Sequence, residues 1–195
     1  KDVAAAEEGS MAALDVVASA GKHLAAIGSE PLRGEGGDRH FRPYFFARLR
    51  DAADRHEAML ILDEVRTGFF GSVKPWLWQH KGVAPDIVAF GKKAQVCGIY
   101  ANARVDEVED NVFVRSSRIN STWGGSLTDM VRSQRFIELI VEHGYCEMAL
   151  TRGEFLLGGL RRIASDTGAF GNVRGVGSLL AVDFETPLKR DAAVE

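Results

Sequence analysis

Two side chains of opposite charge, each able to do chemistry, follow apolar segments that have the length of buried strands. Asp63 comes directly after the run AMLIL at residues 58–62, and Lys92 follows the run DIVAF at residues 86–90 after a single glycine. A lysine amine can act as a nucleophile or carry a proton, and a carboxylate can keep a nearby nitrogen protonated. We expect both side chains to be held at low exposure, and because burying an unpaired charge is costly, each of them needs a partner or a chemical use.

The segments around these two residues predict an α/β fold with a mostly parallel sheet and helices on both faces. Continuous apolar runs such as 58–62 and 86–90 are typical of parallel strands that are covered on both sides. Residues 63–85 separate the two runs, which is enough chain for a crossover connection. If the strands are parallel, Asp63 and Lys92 emerge at the same carboxyl edge of the sheet, where open α/β sheets bind ligands.

Other segments predict the elements that surround this edge. Phe45, Phe46, Leu49 and Ala53 form one stripe of a helix that Pro43 opens. Further helices are predicted within residues 10–20, 76–80, 126–143 and 146–164, and further strands within residues 23–32, 96–103 and 173–185. Residues 33–40 contain three glycines and are too polar for a core, so they are predicted to form a loop. Residues 1–143 are expected to form a large domain, and residues 144–195 a linker helix followed by the start of a small α+β domain.

Composition and charge disfavour several classes of protein. A net charge of −3 does not favour binding to the negatively charged backbone of nucleic acids. No apolar run approaches the length of a membrane span. The two cysteines favour free thiols in a reducing compartment, so a cytoplasmic location is expected, with Cys97 in the core. The five histidines show no metal-ligand spacing, and no metal site is predicted.

The pair of Asp63 and Lys92 has two interpretations from its pattern alone. One is a structural ion pair or two solvated strand ends, and the other is a site for pyridoxal 5'-phosphate. This cofactor needs a lysine that forms a Schiff base with its aldehyde and an acid against its pyridine nitrogen. The acid keeps that nitrogen protonated, so that the ring withdraws electrons from the substrate carbanion, and the freed lysine can move a proton between carbons.

Several motifs, in order, resemble the class III, fold type I aminotransferases that use pyridoxal phosphate. They are LILDEVRTG at residues 60–68, PDIVAFGKK at residues 85–93 and NSTWGG at residues 120–125. GEGGDRHFRP at residues 34–43 and RINSTWGGSLTDMVRSQR at residues 118–135 are similar to the lysine 6-aminotransferase subgroup. The resemblance implies a partial fold type I large domain, a homodimer with shared active sites and pyridoxal 5'-phosphate as the cofactor.

The resemblance also assigns roles to individual residues. Lys92, directly after the glycine, would be the Schiff-base lysine and Lys93 its neighbour, although either amine could reach the cofactor. Asp63 would pair with the pyridine nitrogen. Arg66 replaces the family's usual glutamine near the ring oxygen, which puts that contact in doubt. Thr122 would contact the cofactor phosphate of the other subunit. Ser121 and Asn120 would border the same site, and Glu35 would be the switch glutamate.

The activity that the resemblance implies is transfer of the terminal amino group of L-lysine to 2-oxoglutarate, giving glutamate and 2-aminoadipate 6-semialdehyde. Other ω-amino donors, such as ornithine, 4-aminobutyrate or a diamine, are alternatives, as is an inactive, truncated relative. A binding module without cofactor requires the spacing of Asp63 and Lys92 to be accidental. The start at Lys1 and the absence of the family's upstream phosphate loop and downstream arginine predict a fragment with little activity by itself.

Overall fold

The computed structural model describes residues 3–19, 23–34, 37–119 and 124–193. The α-helices in these ranges are α1 (Val3–Ser19), α2 (Pro43–Arg55), α3 (Leu127–Glu142), α4 (Tyr145–Thr167) and α5 (Pro187–Asp191). Short 3-10 turns lie at Leu77–His80, Lys92–Ala94 and Ala103–Glu107. None of the described helices is both long enough and apolar enough to cross a lipid bilayer.

The strands form one four-stranded sheet and two small two-stranded units. The sheet has the order β1-β4-β5-β6, in which β1, β4 and β5 are mutually parallel and β6 is antiparallel to β5. The bounds are β1 (Ala26–Ser29), β2 (Leu32–Arg33), β3 (Arg39–His40), β4 (Met59–Asp63), β5 (Ile87–Phe90), β6 (Gly98–Ala101), β7 (Gly171–Val176) and β8 (Leu179–Asp183). This arrangement confirms the predicted mixed α/β fold with a mainly parallel sheet.

Helix α2 supplies much of the apolar core beneath the sheet. Pro43 occupies its first turn, where a missing N–H costs nothing, and the predicted stripe faces inward. Burying each large apolar side chain stabilises the fold by about 1.5–3 kcal/mol. The core cluster joins α1, α2, β1 and β4 and contains Met11, Ile27, Phe41, Phe45, Phe46, Leu49, Ala52, Ala53, Leu60 and Leu62.

Three local predictions were wrong. Residues 173–185 do not form a single strand, because a turn at Gly177, with φ of 56°, folds them into the antiparallel hairpin β7–β8. Residues 33–40 are not wholly loop, because β2 and β3 pair as a short antiparallel ribbon. Cys97 is exposed rather than buried, because it precedes β6 in an irregular segment.

A buried carboxylate fixes the start of β5 against its neighbours. Asp86 is 2% exposed and accepts hydrogen bonds from the Leu60 N–H at 2.7 Å and from Arg50 at 2.8 Å on one oxygen. Its other oxygen accepts from Asn102 at 3.1 Å. Burial alone would raise the pKa of Asp86, but these hydrogen bonds outweigh burial and hold the pKa below its ordinary value. The register of β5 beside β4 therefore depends on an ionised Asp86.

We expect Asp86→Asn to lower the free energy of unfolding of the full-length protein by about 3 kcal/mol at neutral pH, because it removes the buried charge that pairs with Arg50 and Arg104 and leaves Arg50 only the exposed Asp54. A depressed folded pKa contributes stability above the unfolded value of about 4, and the contribution is lost as the pH falls through the folded pKa. The difference between wild type and variant, measured by denaturant unfolding, should therefore shrink below about pH 4. Asp51→Asn, on the exposed side of α2, is the control. A difference that does not change with pH contradicts the argument.

Candidate active site

The parallel strands β4 and β5 bring the two predicted residues to one edge of the sheet. Asp63 is the last residue of β4 and lies across from Ala89 of β5. Lys92 follows β5 after Gly91 and begins a 3-10 turn. Both side chains are exposed, so the expectation that they would be held at low exposure was wrong. The reason is that the strand ends pass beyond the packed core and present their side chains at the open edge.

The backbone of Lys92 adopts a conformation that ordinary residues avoid. Its φ is +48°, in the left-handed region, where a residue with a side chain is strained by about 1–2 kcal/mol. The turn is closed by the Ala94 N–H on the Gly91 carbonyl at 3.2 Å and by the Gln95 N–H on the Lys92 carbonyl at 2.9 Å. Strained residues of this kind cluster at functional sites, where their surroundings fix them.

A local hydrogen bond orients the carboxylate of Asp63. Its Oδ1 accepts from the Val65 N–H at 2.9 Å, which turns the side chain toward the chain that leaves β4. In the part of the chain that the structure describes, no hydrogen bond engages Oδ2. Asp63 therefore presents one oxygen that its own turn holds and a second that can accept from a ligand.

The acid loop, residues 64–75, starts from a buried carboxylate that the sequence analysis did not assign. Glu64 is 1% exposed and accepts from the Thr67 hydroxyl at 2.5 Å, the Leu77 N–H at 3.1 Å and the Trp78 N–H at 2.7 Å. These bonds tie the start of the loop to the 3-10 turn Leu77–His80, which follows the end of the loop. Glu64 thus positions the loop that follows Asp63, and the only signal for it in the sequence is a second acid directly after the strand.

A cavity of about 370 Å³ opens at this edge of the sheet. Arg66, Thr67, Lys92 and Lys93 line one side, His40 of β3 another, and Ser178 of the β7–β8 turn a third. The structure therefore brings Lys92 and Arg66 together in one cavity. Asp63 lies at the same sheet edge but not among the lining residues.

Three cations, one carboxylate and one neutral imidazole determine the electrostatics of the cavity, and they belong to Arg66, Lys92 and Lys93, to Asp38, and to His40. Burial of its amino end lowers the pKa of Lys93, the charges of Arg66 and Lys92 lower it further, and Glu64 opposes them. Burial, helped by Lys81 and Arg174, lowers the pKa of His40 to about 4, so that its ring is neutral at neutral pH. The lining suits an anionic ligand.

The guanidinium of Arg66 occupies space that is free because Gly34 has no side chain. A Cβ at Gly34 would overlap the Arg66 guanidinium, so a side chain at position 34 would displace it. The resemblance placed Arg66 near the cofactor ring but left its contact there in doubt, and the structure places the residue in the cavity beside Lys92.

The acid loop holds bulky residues in strained conformations. Phe69, Phe70 and Val73 have φ between 67° and 77°, which is unusual above all for a β-branched residue. The loop is closed by the N–H groups of Phe69 and Phe70, which donate to the Pro75 carbonyl at 2.8 and 3.2 Å. From outside, the backbone N–H of Ser178 donates to the Gly71 carbonyl at 2.9 Å and its hydroxyl donates to the same oxygen at 2.8 Å.

Four predicted site residues, Glu35, Asn120, Ser121 and Thr122, lie outside the described residues. Within residues 3–19, 23–34, 37–119 and 124–193, no group of three or more His, Cys, Asp or Glu side chains is arranged to hold a metal ion.

Comparison with known proteins identifies similar chains. The profile of the aminotransferase class-III family matches residues 2–195. The L-lysine-epsilon aminotransferase of Mycobacterium tuberculosis is 50% identical over 172 residues, which are 88% of this chain and 38% of that protein. The 4-aminobutyrate aminotransferase of Dictyostelium discoideum is 36% identical over 174 residues, which are 88% of this chain and 34% of that protein.

Among solved structures, lysine aminotransferase from Mycobacterium tuberculosis in the internal aldimine form superposes with a TM-score of 0.81 at 52% identity. The match covers 84% of this chain and 38% of that one. The chain thus spans less than half the length of the relatives that it matches.

We expect Val73→Gly to be more stable than Val73→Ala by about 1 kcal/mol, because glycine accepts a φ of 77° without strain and alanine does not. Both variants lose the Val73 side chain, so the comparison isolates the backbone. Thermal or denaturant unfolding of the full-length protein provides the measurement. Equal stability of the two variants would show that the acid loop is not strained at this position.

Proposed function

This chain belongs to the class-III aminotransferase family, and we propose that it forms the cofactor-holding part of an enzyme that transfers the terminal amino group of L-lysine to 2-oxoglutarate. The products would be glutamate and 2-aminoadipate 6-semialdehyde. The observation that carries the proposal is the placement of Asp63 and Lys92 at the ends of adjacent parallel strands. The similarity to L-lysine-epsilon aminotransferases supports lysine as the amino donor.

The residues at the sheet edge fit pyridoxal 5'-phosphate. The cofactor carries an aldehyde, which needs an amine, and Lys92 offers one from a fixed turn. It carries a phosphate, and the cations Arg66 and Lys93 line the same cavity. Its pyridine nitrogen needs an acceptor, and Asp63 presents Oδ2. The cavity volume of about 370 Å³ lies within the usual range of about 300–1,000 Å³ for small-molecule sites.

Each residue of the edge would then have a distinct task. When bound, the cofactor supplies an electron-withdrawing ring that stabilises negative charge on the substrate carbon. Lys92 holds the cofactor and, once released, takes a proton at Nζ from that carbon and returns it. Asp63 keeps the pyridine nitrogen protonated through its carboxylate. Arg66 binds beside the ring, and the neutral His40 closes the cavity without adding charge.

Further parts of the proposal concern residues outside the described ranges and a second subunit. Thr122 would contact the cofactor phosphate of the other subunit of a homodimer, with Ser121 and Asn120 bordering the site. Glu35 would act as the switch acid that faces the amino end of lysine and then gives way to the carboxylate of 2-oxoglutarate. Free thiols at the cysteines favour a reducing compartment, and we infer a cytoplasmic location.

An enzyme with another ω-amino donor is the second candidate. The similarity to a 4-aminobutyrate aminotransferase favours it, because that substrate also presents a terminal amine and a distant carboxylate. Lysine differs from 4-aminobutyrate by two further methylene groups and an α-amino group, which requires a longer site able to accept a second charged amine.

Borohydride trapping tests the assignment of the lysine. Reduction of the full-length protein loaded with pyridoxal 5'-phosphate should leave the cofactor covalently bound to Lys92, as located by peptide mass spectrometry. Lys92→Ala should lose this label entirely, because the neighbouring amine, Lys93, is engaged with the Arg66 carbonyl. Lys189→Ala, which changes an exposed lysine of α5, is the matched control and should keep the label on Lys92. A label on Lys93 in the wild type would reverse the assignment.

A screen of amino donors with 2-oxoglutarate tests the substrate. The full-length enzyme should show a kcat/KM for L-lysine at least about tenfold above those for ornithine and 4-aminobutyrate, because discrimination of a charged or polar group in a shaped site readily reaches that level. Glutamate formation in a coupled assay gives the rate for each donor. A preference for 4-aminobutyrate would select the second candidate, and no turnover with any donor would contradict both.

A further inference from the structure

The side chain of Lys93 joins two parts of the candidate site that the sequence places 27 positions apart. We propose that Lys93 is a positioning residue, whose ammonium ties the acid loop to the turn that carries Lys92 and keeps a second cation beside it. The proposal rests on the function proposed above, because it concerns how the lysine and the acid are held for the cofactor.

The contacts of Lys93 span the first half of the acid loop. Its Nζ donates a hydrogen bond to the backbone carbonyl of Arg66. Its side chain then passes across Gly71, where an added Cβ would lie 3.6 Å from Nζ and 3.7 Å from Cε. One lysine therefore contacts both the start and the middle of the loop from the turn Lys92–Ala94.

The loop needs this support because its own backbone is strained. Phe69 and Phe70, between the two points of contact, both have left-handed φ values. Such conformations persist only where the surrounding structure fixes them. The hydrogen bonds of Ser178 to the Gly71 carbonyl attach the loop to the β7–β8 hairpin, and Lys93 is the side chain that attaches it to the Lys92 turn.

The contact also explains why Lys93 does not take the role of Lys92. Its side chain lines the same cavity as Lys92, but its ammonium is already engaged by the Arg66 carbonyl of the acid loop. Lys92 has no comparable anchor among the described residues and lines the same cavity. The two adjacent lysines thus have different tasks: Lys93 positions the acid loop, and Lys92 is the reactive amine.

The charge of Lys93 acts on Lys92 as well as on the loop. The charged groups that face Lys93 are Glu64, Arg66 and Lys92. A nearby cation disfavours positive charge on the nitrogen that joins a bound cofactor to its lysine. Removing the charge at position 93 should therefore raise the pH at which the cofactor-bound Lys92 nitrogen loses its proton.

The test uses the full-length protein with Lys93→Met, Lys93→Arg and, as matched control, Lys189→Met. Two quantities are measured: the Kd of the apoprotein for pyridoxal 5'-phosphate, and the pH midpoint of the absorption change of the bound cofactor. Lys93→Met should raise the Kd about tenfold, because a charge-assisted hydrogen bond is lost. It should also move the midpoint upward by about half a pH unit or more. Lys93→Arg, which keeps the charge, should leave the midpoint at the wild-type value, and Lys189→Met should change neither quantity.

The proposal is overturned if Lys93→Met leaves both the Kd and the pH midpoint unchanged. A lower Tm does not rescue it in that case, because a lower Tm alone is what a merely structural role of Lys93 predicts. Lys93→Gln, which keeps a donor, is measured in the same way if Lys93→Met does not fold. Borohydride trapping separates this failure from failure of the proposed function. A label on Lys92 with an unchanged midpoint refutes only the role of Lys93, whereas a label on Lys93 refutes the lysine assignment itself.

Discussion

The parallel pairing of β4 with β5 is the constraint on which the site depends. The pairing sets Asp63 opposite Ala89, so that Asp63 and, after one glycine, Lys92 leave the sheet at the same edge. A shift of one residue in this register would turn each side chain to the other face of the sheet. The buried carboxylate of Asp86 fixes the register through the Leu60 N–H, and so a structural acid at one end of β5 helps to place Lys92 at the other.

Around this edge, the protein stabilises strained backbone with groups drawn from distant parts of the chain. Glu64 ties the acid loop to the 3-10 turn that follows it, Ser178 attaches it to the C-terminal hairpin, and Lys93 attaches it to the Lys92 turn. Each of these bonds ends on a backbone group, so each fixes the path of the chain rather than a single side chain. Cofactor sites benefit from this kind of support, because small displacements of the reacting groups are costly.

The sequence predicted the features that rest on periodicity and strand ends. The stripe of α2, the two buried strands, and the long helix α4 with left-handed Gly168 at its end all follow from local patterns. The β7–β8 hairpin was missed although its turn residues, Gly177 and Ser178, are of a kind that commonly joins two paired strands, because the segment was interpreted as one alternating strand. Glu64 and Lys93 were not assigned their roles, because their partners are backbone groups that leave no trace in residue types. The exposure of Asp63 and Lys92 depends on how far the strands extend past the core. An apolar stretch in the sequence predicts a buried strand but not where its end lies relative to the core.

A crystal structure of the full-length protein with pyridoxal 5'-phosphate tests the central claim most directly. The account predicts a covalent bond from Lys92 Nζ to the cofactor aldehyde carbon and an Asp63 carboxylate oxygen about 3 Å from the pyridine nitrogen. A cofactor bound away from this sheet edge, or an Asp63 that faces a different side of the molecule from the ring, would contradict it.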